Sequence, residues 1–251
     1  MTEIGIAPKV ARIYPEIAAG GFSHVDGTIG FYQRVNALIG PDMEVLDFGA
    51  GRGEQLVEDP VPYRAALCRL QGKVKRLVGV DVDPAVLRNP FLDEAHVIDP
   101  SRPLPFADGQ FDLIYADWVL EHVATPGRFA AEVRRLLKPG GWFCARTPNR
   151  WGVTGLGANL IPNRLHTKLL KTLQPGRQEQ DVFPTTYKMN TRGAIRHYFP
   201  EREWEHSTYI SNSEPPYVQR SLLLMRLVQL FWRASPPGFH TTLNIFLRKR
   251  P

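Results

Sequence analysis

Val45-Leu46-Asp47-Phe48-Gly49-Ala50-Gly51-Arg52-Gly53 decides how the rest of this chain is read. Apolar residues surround Asp47 as they do at the end of a buried strand. Glycines follow at 49, 51 and 53, where a turn lets backbone approach a ligand with no side chain in the way. A strand feeding such a turn and then a helix is the nucleotide-binding corner of an open α/β sheet. The spacing departs from the dinucleotide fingerprint G-x-G-x-x-G, because the third glycine comes one residue early and an acid precedes the first. A carboxylate at that mouth repels a pyrophosphate and suits a cationic or amino-bearing ligand.

The text downstream repeats the pattern. Arg76-Leu77-Val78-Gly79-Val80 is a second buried-strand run and ends in Asp81. His96-Val97-Ile98 ends in Asp99, and Phe111 to Ala116 ends in Asp117. Apolar burial gains nothing from a carboxylate. Helix caps or surface turns explain one or two such acids, but not a series of them. At a strand tip, Asp81 can accept hydrogen bonds from both hydroxyls of a ribose, and Asp99 is placed to take one from an adenine amine.

Residues 44–148 resemble the class I S-adenosylmethionine-dependent methyltransferases, in their small-molecule branch. The resemblance rests on the text 46–53 with its glycines, Val78-Gly79-Val80-Asp81, the stretch Leu104 to Asp112, Leu120-Glu121-His122-Val123, and the stretch Leu136 to Trp142. It implies that Gly49, Gly51 and Gly53 pass beside the methionine part of S-adenosylmethionine, that Asp81 holds the ribose, and that Asp99 holds the adenine amine. It puts Asp117 and Trp118 on the floor near the sulfonium, and adds Asp47, Ala50 and Val82 to the cofactor-binding set. The implied fold is a Rossmann-like α/β domain: a seven-stranded, mostly parallel sheet with an antiparallel last strand, an N-terminal helical cap and an inserted C-terminal lid. The expected divisions of this single domain are a cap over 1–43, a cofactor-binding core over 44–148, a lid over 149–202 and a closing segment over 203–251. The sequence departs from the family pattern in its first crossover, since Asp47 and Asp81 stand 34 positions apart. Pro60 and Pro62 in that insertion should break the first helix and leave a short second one near Tyr63 to Leu70.

A chain of 251 residues can bury one sizeable core. No stretch approaches the roughly 18 unbroken apolar residues of a membrane span. The first residues lack a basic region followed by an apolar core, so no secretory signal is expected. Cys68 and Cys144 are isolated and the seven histidines are scattered, which predicts neither a disulfide framework nor a metal site. The expected location is the cytoplasm, with membrane association depending on the helix described below. Charge is split unevenly: residues 1–125 carry 11 Lys/Arg against 18 Asp/Glu, and residues 126–251 carry 20 against 7. The acidic half holds the expected cationic-ligand site. The basic half holds the elements with which this family recognises its acceptor, which predicts an anionic acceptor or an anionic surface unless the helix surfaces simply differ.

Trp142 to Thr147 reads as strand five, ended by Pro148-Asn149. Residues 149–190 hold many Gly, Pro and Asn around one expected helix, Leu160 to Thr172, with Asp181 to Tyr187 positioned to close over an acceptor. Asn190 or Thr191 should cap a helix over Arg192 to Tyr198. Trp204 to Ile210 suits strand six and Thr241 to Leu247 strand seven. Between them, Gln219 to Arg233 is amphipathic, with Gln219, Arg226, Gln229 and Arg233 on one narrow polar stripe. Such a helix packs on the core, meets a second copy in a homodimer, or lies in a membrane interface; the first two are its commoner fates. Near the start, Ile29 to Ile39 reads as a capping helix from which Tyr32 or Arg34 could reach the cofactor's carboxylate, with a packing role as the commoner alternative.

The reaction implied is methyl transfer to a small-molecule, glycan or lipid-linked acceptor, as an O-methylation. A base is needed only if a hydroxyl must lose its proton. His122, five residues after Asp117 at the carboxyl edge of the sheet, is the candidate, against the alternative of a structural histidine. His166 and Tyr187 stand behind it. A protein of the same fold that binds S-adenosylmethionine without transferring methyl is the alternative, opposed by the intact glycines and acids. No Asn-Pro-Pro-Tyr end follows strand four, so nucleic acid is not the expected partner.

Overall fold

The computed structural model describes residues 8–152, 185–213 and 221–251. The chain opens with one turn, α1 (Pro8–Ala11), a 3₁₀ turn at Pro15–Ala18 and α2 (Gly27–Leu38). Then come β1 (Glu44–Phe48), α3 (Glu54–Val57), α4 (Pro62–Cys68), β2 (Arg76–Asp81), β3 (Glu94–Val97) and β4 (Phe111–Asp117). A 3₁₀ turn at Leu120–His122, α5 (Pro126–Leu136) and β5 (Leu137–Pro148) follow. The last described elements are α6 (Arg192–Tyr198), β6 (Trp204–His206), β7 (Tyr209–Ser211), α7 (Leu222–Ala234) and β8 (Thr242–Lys249).

The strands form one sheet in the order β3-β2-β1-β4-β5-β8-β6, with β7 also on β8. The first five run parallel, and β8 is antiparallel to β5, as expected of the last strand. The expected sixth strand is interrupted at Ser207–Thr208 but keeps one register along β8. Trp204 lies opposite Lys249 and Tyr209 opposite Asn244, and the Ser207 amide between them donates to Phe246 O at 2.8 Å. The sheet therefore has eight strands, with β6 and β7 sharing the edge position expected of a single sixth strand.

Neighbouring strand residues face opposite ways, and β1, β2, β4, β5 and β8 supply both faces with apolar side chains. Leu46, Val78, Ile114, Phe143 and Ile245 join one cluster with Phe129, Val133 and Leu136 of α5. Val45, Leu77, Leu113, Cys144 and Phe246 join another with Phe31 and Val35 of α2. This two-sided burial is why the parallel strands read as unbroken hydrophobic runs.

Prolines shape the first crossover as anticipated. The helix after the glycine turn lasts only Glu54–Val57, and the chain restarts with Pro62 in the first turn of α4. Arg64 holds the insertion in place by pairing with both oxygens of Asp59 and, at 2.7 Å, with Asp26. Asp26 caps α2, accepting from the Thr28 and Ile29 amides at 2.9 and 3.0 Å. Thr191, not Asn190, caps α6; Asn190 is buried and donates to Thr147 Oγ1 and to Pro148 O. The expected helix 160–172, His166 and most of the expected closing loop 181–187 lie outside the described residues.

Candidate cofactor and acceptor site

Five parallel strands place their carboxyl ends on one edge of the sheet. Chain order reverses between β1 and β4, because β2 and β3 are laid down on one side of β1, and β4 and β5 on the other. The crevice at such a reversal is where open α/β sheets bind ligands. Asp47 pairs in register with Gly79 and Tyr115, and Asp117 with Arg146, so Asp47, Asp81 and Asp117 gather around it.

The glycine turn is tied to β2 rather than left to a ligand. Gly49 N donates to Val80 O at 2.7 Å, and Gly51 N donates to Asp81 Oδ2 at 2.9 Å. Asp81 Oδ1 accepts from Asp83 N at 2.9 Å. Each carboxylate oxygen thus takes one backbone donor and retains acceptor capacity. Asn89 Nδ2 donates to the Ala50 and Gly51 carbonyls from below. The glycines answer different needs. Gly49 has φ +83 and a side chain there would overlap Val119, while one at Gly53 would meet Asn89 and Phe91. Gly51, at φ +53, faces open space, with nothing within 4 Å of where a Cβ would stand. Of the three, Gly51 is the one that leaves room for a ligand.

Asp47 keeps some exposed surface, but protein atoms crowd its carboxyl. Burial lifts its pKa to about 7; the Tyr115 hydroxyl opposes that by donating a hydrogen bond, while the charges of Asp117 and Asp81 add to the rise. Burial also holds the Tyr115 and Tyr32 phenols well above their ordinary range, so both remain donors.

Asp117 is not a lone acid at the floor. Arg146, at the carboxyl end of β5, grips both its oxygens, through Nε and through Nη2 at 2.8 Å. The Tyr32 hydroxyl donates to Asp117 Oδ2 at 3.2 Å, and Arg146 Nη1 donates to Thr28 Oγ1 at 2.9 Å. Arg146 is only 4% exposed, and its guanidinium stands 5.3–5.9 Å from the rings of Trp118, Phe31 and Tyr32. The sequence reading missed Arg146. Its signal was a single charge inside the buried run Trp142 to Thr147. Tyr32 comes from α2 as anticipated and serves Asp117, whereas Arg34 turns away and donates to the Tyr209 hydroxyl at 3.1 Å. Trp118 leaves the strand in the left-handed region, at φ 57, and stays partly exposed beside the pair.

The remaining candidates lie at the two ends of this edge. At one, Val82 and Asp99 are exposed. Asp99 borders a groove of about 240 Å³ formed by Val97, Ile98, Arg102 and the Pro103–Pro105 stretch. The Ser101 hydrogen bonds hold its carboxyl below the usual range. At the other end, His122 is half-buried on the turn after β4. Thr186 and Tyr187 pass alongside that turn, both amides donating to Glu121 O. Glu121 is buried and accepts from Thr147 Oγ1 at 2.8 Å. His122 and Tyr187 therefore stand at the same mouth. Among the described residues no group of His, Cys, Asp and Glu could hold a metal ion.

Residues 46–145 match the family described as methyltransferase domain. A probable S-adenosylmethionine-dependent methyltransferase of Mycolicibacterium smegmatis is 30% identical over 149 residues, 57% of this chain and 52% of that one. A demethylmenaquinone methyltransferase of Symbiobacterium thermophilum is 31% identical over 112 residues, 41% of each chain. The chain spans about half the length or less of these curated relatives. Among solved structures, geranyl diphosphate C-methyltransferase of Streptomyces coelicolor, in complex with Mg²⁺, a geranyl diphosphate analogue and S-adenosyl-L-homocysteine, superposes with a TM-score of 0.54 at 17% identity. That match covers 88% of this chain and 74% of the other. Residues 46–145 thus carry the methyltransferase-domain match, and the fold is the one shared with the solved methyltransferase.

Proposed function

We propose that this protein transfers the methyl group of S-adenosylmethionine to a hydroxyl of a small organic acceptor, free or carried on a glycan or lipid. The observation that carries the reading is the crevice between β1 and β4. There the open side of Gly51 lies next to Asp81, and Asp47 and Asp81 stand in excess of Arg146, the one buried cation among the described residues, which Asp117 already neutralises. Two carboxylates in excess suit a ligand bearing an ammonium and a sulfonium against one carboxylate.

When bound, S-adenosylmethionine supplies a methyl already activated by sulfonium charge. Asp81 offers its remaining lone pairs to the ribose hydroxyls, and Asp99 its carboxylate to the adenine amine over the neighbouring groove. Ala50, Gly51, Gly53 and Val82 border the same path. Asp47 in its ionised form attracts the cationic methionine end, and Arg146 holds both oxygens of Asp117 in place beside Trp118. The protein's main contribution is then alignment and exclusion of water. His122 accepts the proton of the acceptor hydroxyl, with Tyr187 next to it at the same mouth.

The demethylmenaquinone methyltransferase among the relatives favours a phenol-like ring among acceptor classes. The site is taken to be cytoplasmic, with α7 the element that meets a membrane or a second copy. Calorimetry with S-adenosylmethionine and with its demethylated product tests the cofactor half: binding of neither would end the enzyme reading. Labelled cofactor incubated with a cell extract, then fractionated into lipid, polysaccharide and small-molecule pools, tests the acceptor half.

A further inference from the structure

The helix α7 wears its apolar side outward. Leu223, Leu224, Leu227, Leu230 and Phe231 are 46–68% exposed, and among its residues only Met225 is fully buried, against Val10, Tyr14 and Ile17. At about 100° per residue the five exposed side chains fall within an arc of about 120°. Met225, Val228, Gln229 and Trp232 occupy the opposite, covered side. Arg226 and Arg233 are exposed and lie just beyond one edge of the apolar arc. Among the described residues, the core contact of this helix is made by Met225, and the apolar arc itself is left exposed.

The arc continues toward the mouth of the site. After α7 the chain makes a 3₁₀ turn at Pro237–Phe239, whose Phe239 is 43% exposed. Asn149 ties that turn to the end of β5 by donating to Gly238 O and His240 O at 2.7 and 2.8 Å. Next to Asn149, Arg150 and Trp151 are both exposed, Trp151 by 54%. From Ser221 to Thr241 the sequence has two arginines and no Asp or Glu. A large apolar arc bordered by cations, with no acid, matches an anionic lipid surface: acyl chains take the leucines and aromatics, and head-group phosphates take the arginines.

We propose that α7, with Phe239 and Trp151, docks this protein on an anionic bilayer and holds the carboxyl edge of its sheet close to the lipid. The docking goes beyond the methyl-transfer reading, and its readout is binding rather than turnover. It also gives the site a source of apolar or lipid-linked acceptors. A second copy seated on the same arc is the competing occupant.

The test is co-sedimentation of the full chain with vesicles of phosphatidylcholine alone and with added phosphatidylglycerol, at low and raised salt. Binding is expected only to the anionic vesicles and should weaken with salt. Arg226→Glu with Arg233→Glu should reduce it at least about tenfold, and Leu227→Asp should reduce it as well. Because these side chains are exposed, the variants should keep the wild-type melting temperature and calorimetric affinity for S-adenosylhomocysteine. No sedimentation with anionic vesicles would overturn the proposal. So would light scattering that shows a dimer which Leu227→Asp splits, with vesicle binding absent in both proteins. Loss of cofactor binding in the wild type would instead strike the methyl-transfer reading and leave the docking result standing.

Discussion

If Asp47 must be ionised to receive a cationic ligand, the affinity of this protein for S-adenosylmethionine depends on pH in a defined window. Burial holds the Asp47 carboxyl at about 7, against about 4 in an unfolded chain. The ionised fraction is then about one in eleven at pH 6 and about ten in eleven at pH 8. A ligand that selects the ionised form loses affinity in proportion to that fraction, so the dissociation constant should be about tenfold larger at pH 6 than at pH 8. Binding below pH 7 should release a proton, visible as a buffer-dependent heat in calorimetry. The unliganded protein should show the opposite trend. Folded Asp47 keeps its proton up to about 7 while the unfolded chain releases it near 4, so between those values the unfolded state holds fewer protons. Stability therefore falls as pH rises through the window, by at most about 4 kcal/mol across its whole width. Asp47→Asn keeps an acceptor for Tyr115 but cannot titrate; its affinity should be low and flat from pH 6 to 8. Equal wild-type affinity at both pH values, or a full pH dependence in the Asn variant, would refute the reasoning.

Three other substitutions probe separate parts of the cofactor site, and a fourth the acceptor side. Asp81→Ala removes the expected ribose acceptor and also the anchor of the Gly51 amide; cofactor binding should weaken by about 1.5–3 kcal/mol or more by calorimetry, and unchanged binding in a folded variant would misplace the ribose. Gly51→Val should cost about 1–2 kcal/mol of stability from its left-handed backbone, yet reduce cofactor affinity far more, because the free protein has room for the side chain. Arg146→Met leaves Asp117 buried without its partner and should destabilise by about 3–5 kcal/mol in urea unfolding, with part of the loss recovered by adding Asp117→Asn. Once the acceptor is found, His122→Ala should lower kcat by about 10²–10⁴-fold while leaving cofactor affinity intact.

Strands β1, β2 and β4 were legible because they are buried on both faces and so read as continuous apolar runs, each with an acid at or next to its carboxyl end. The prolines at 60 and 62 and the cap at Thr191 act through backbone geometry within a few residues, and such local rules survive into the fold. Arg146 was not legible, because its partner Asp117 lies 29 positions away and only the register of β4 on β5 brings them together. The same holds for Tyr115 beneath Asp47. Sequence spacing also treats Gly49, Gly51 and Gly53 alike. The structure separates them: two avoid neighbouring side chains and one keeps open the space beside Asp81.

The helix α7 shows a different kind of limit. An apolar stripe records that a surface avoids water, not what it meets instead, since a protein core, a second subunit and acyl chains all favour the same residues. What distinguishes them is position and the charges at the rim. In this fold Met225 takes the inward role, so Leu223, Leu227 and Leu230 are surplus to the core. Arg226 and Arg233 stand at the border, with no acid between residues 221 and 241 to pair with them. Part of the basic excess of the second half of the chain thereby acquires a location. Arg226 and Arg233 flank exposed apolar surface, while Asp47, Asp81 and Asp117 of the first half gather at the crevice between β1 and β4. A cationic ligand and an anionic surface would approach the same edge from opposite sides, each drawn by the charge the other avoids.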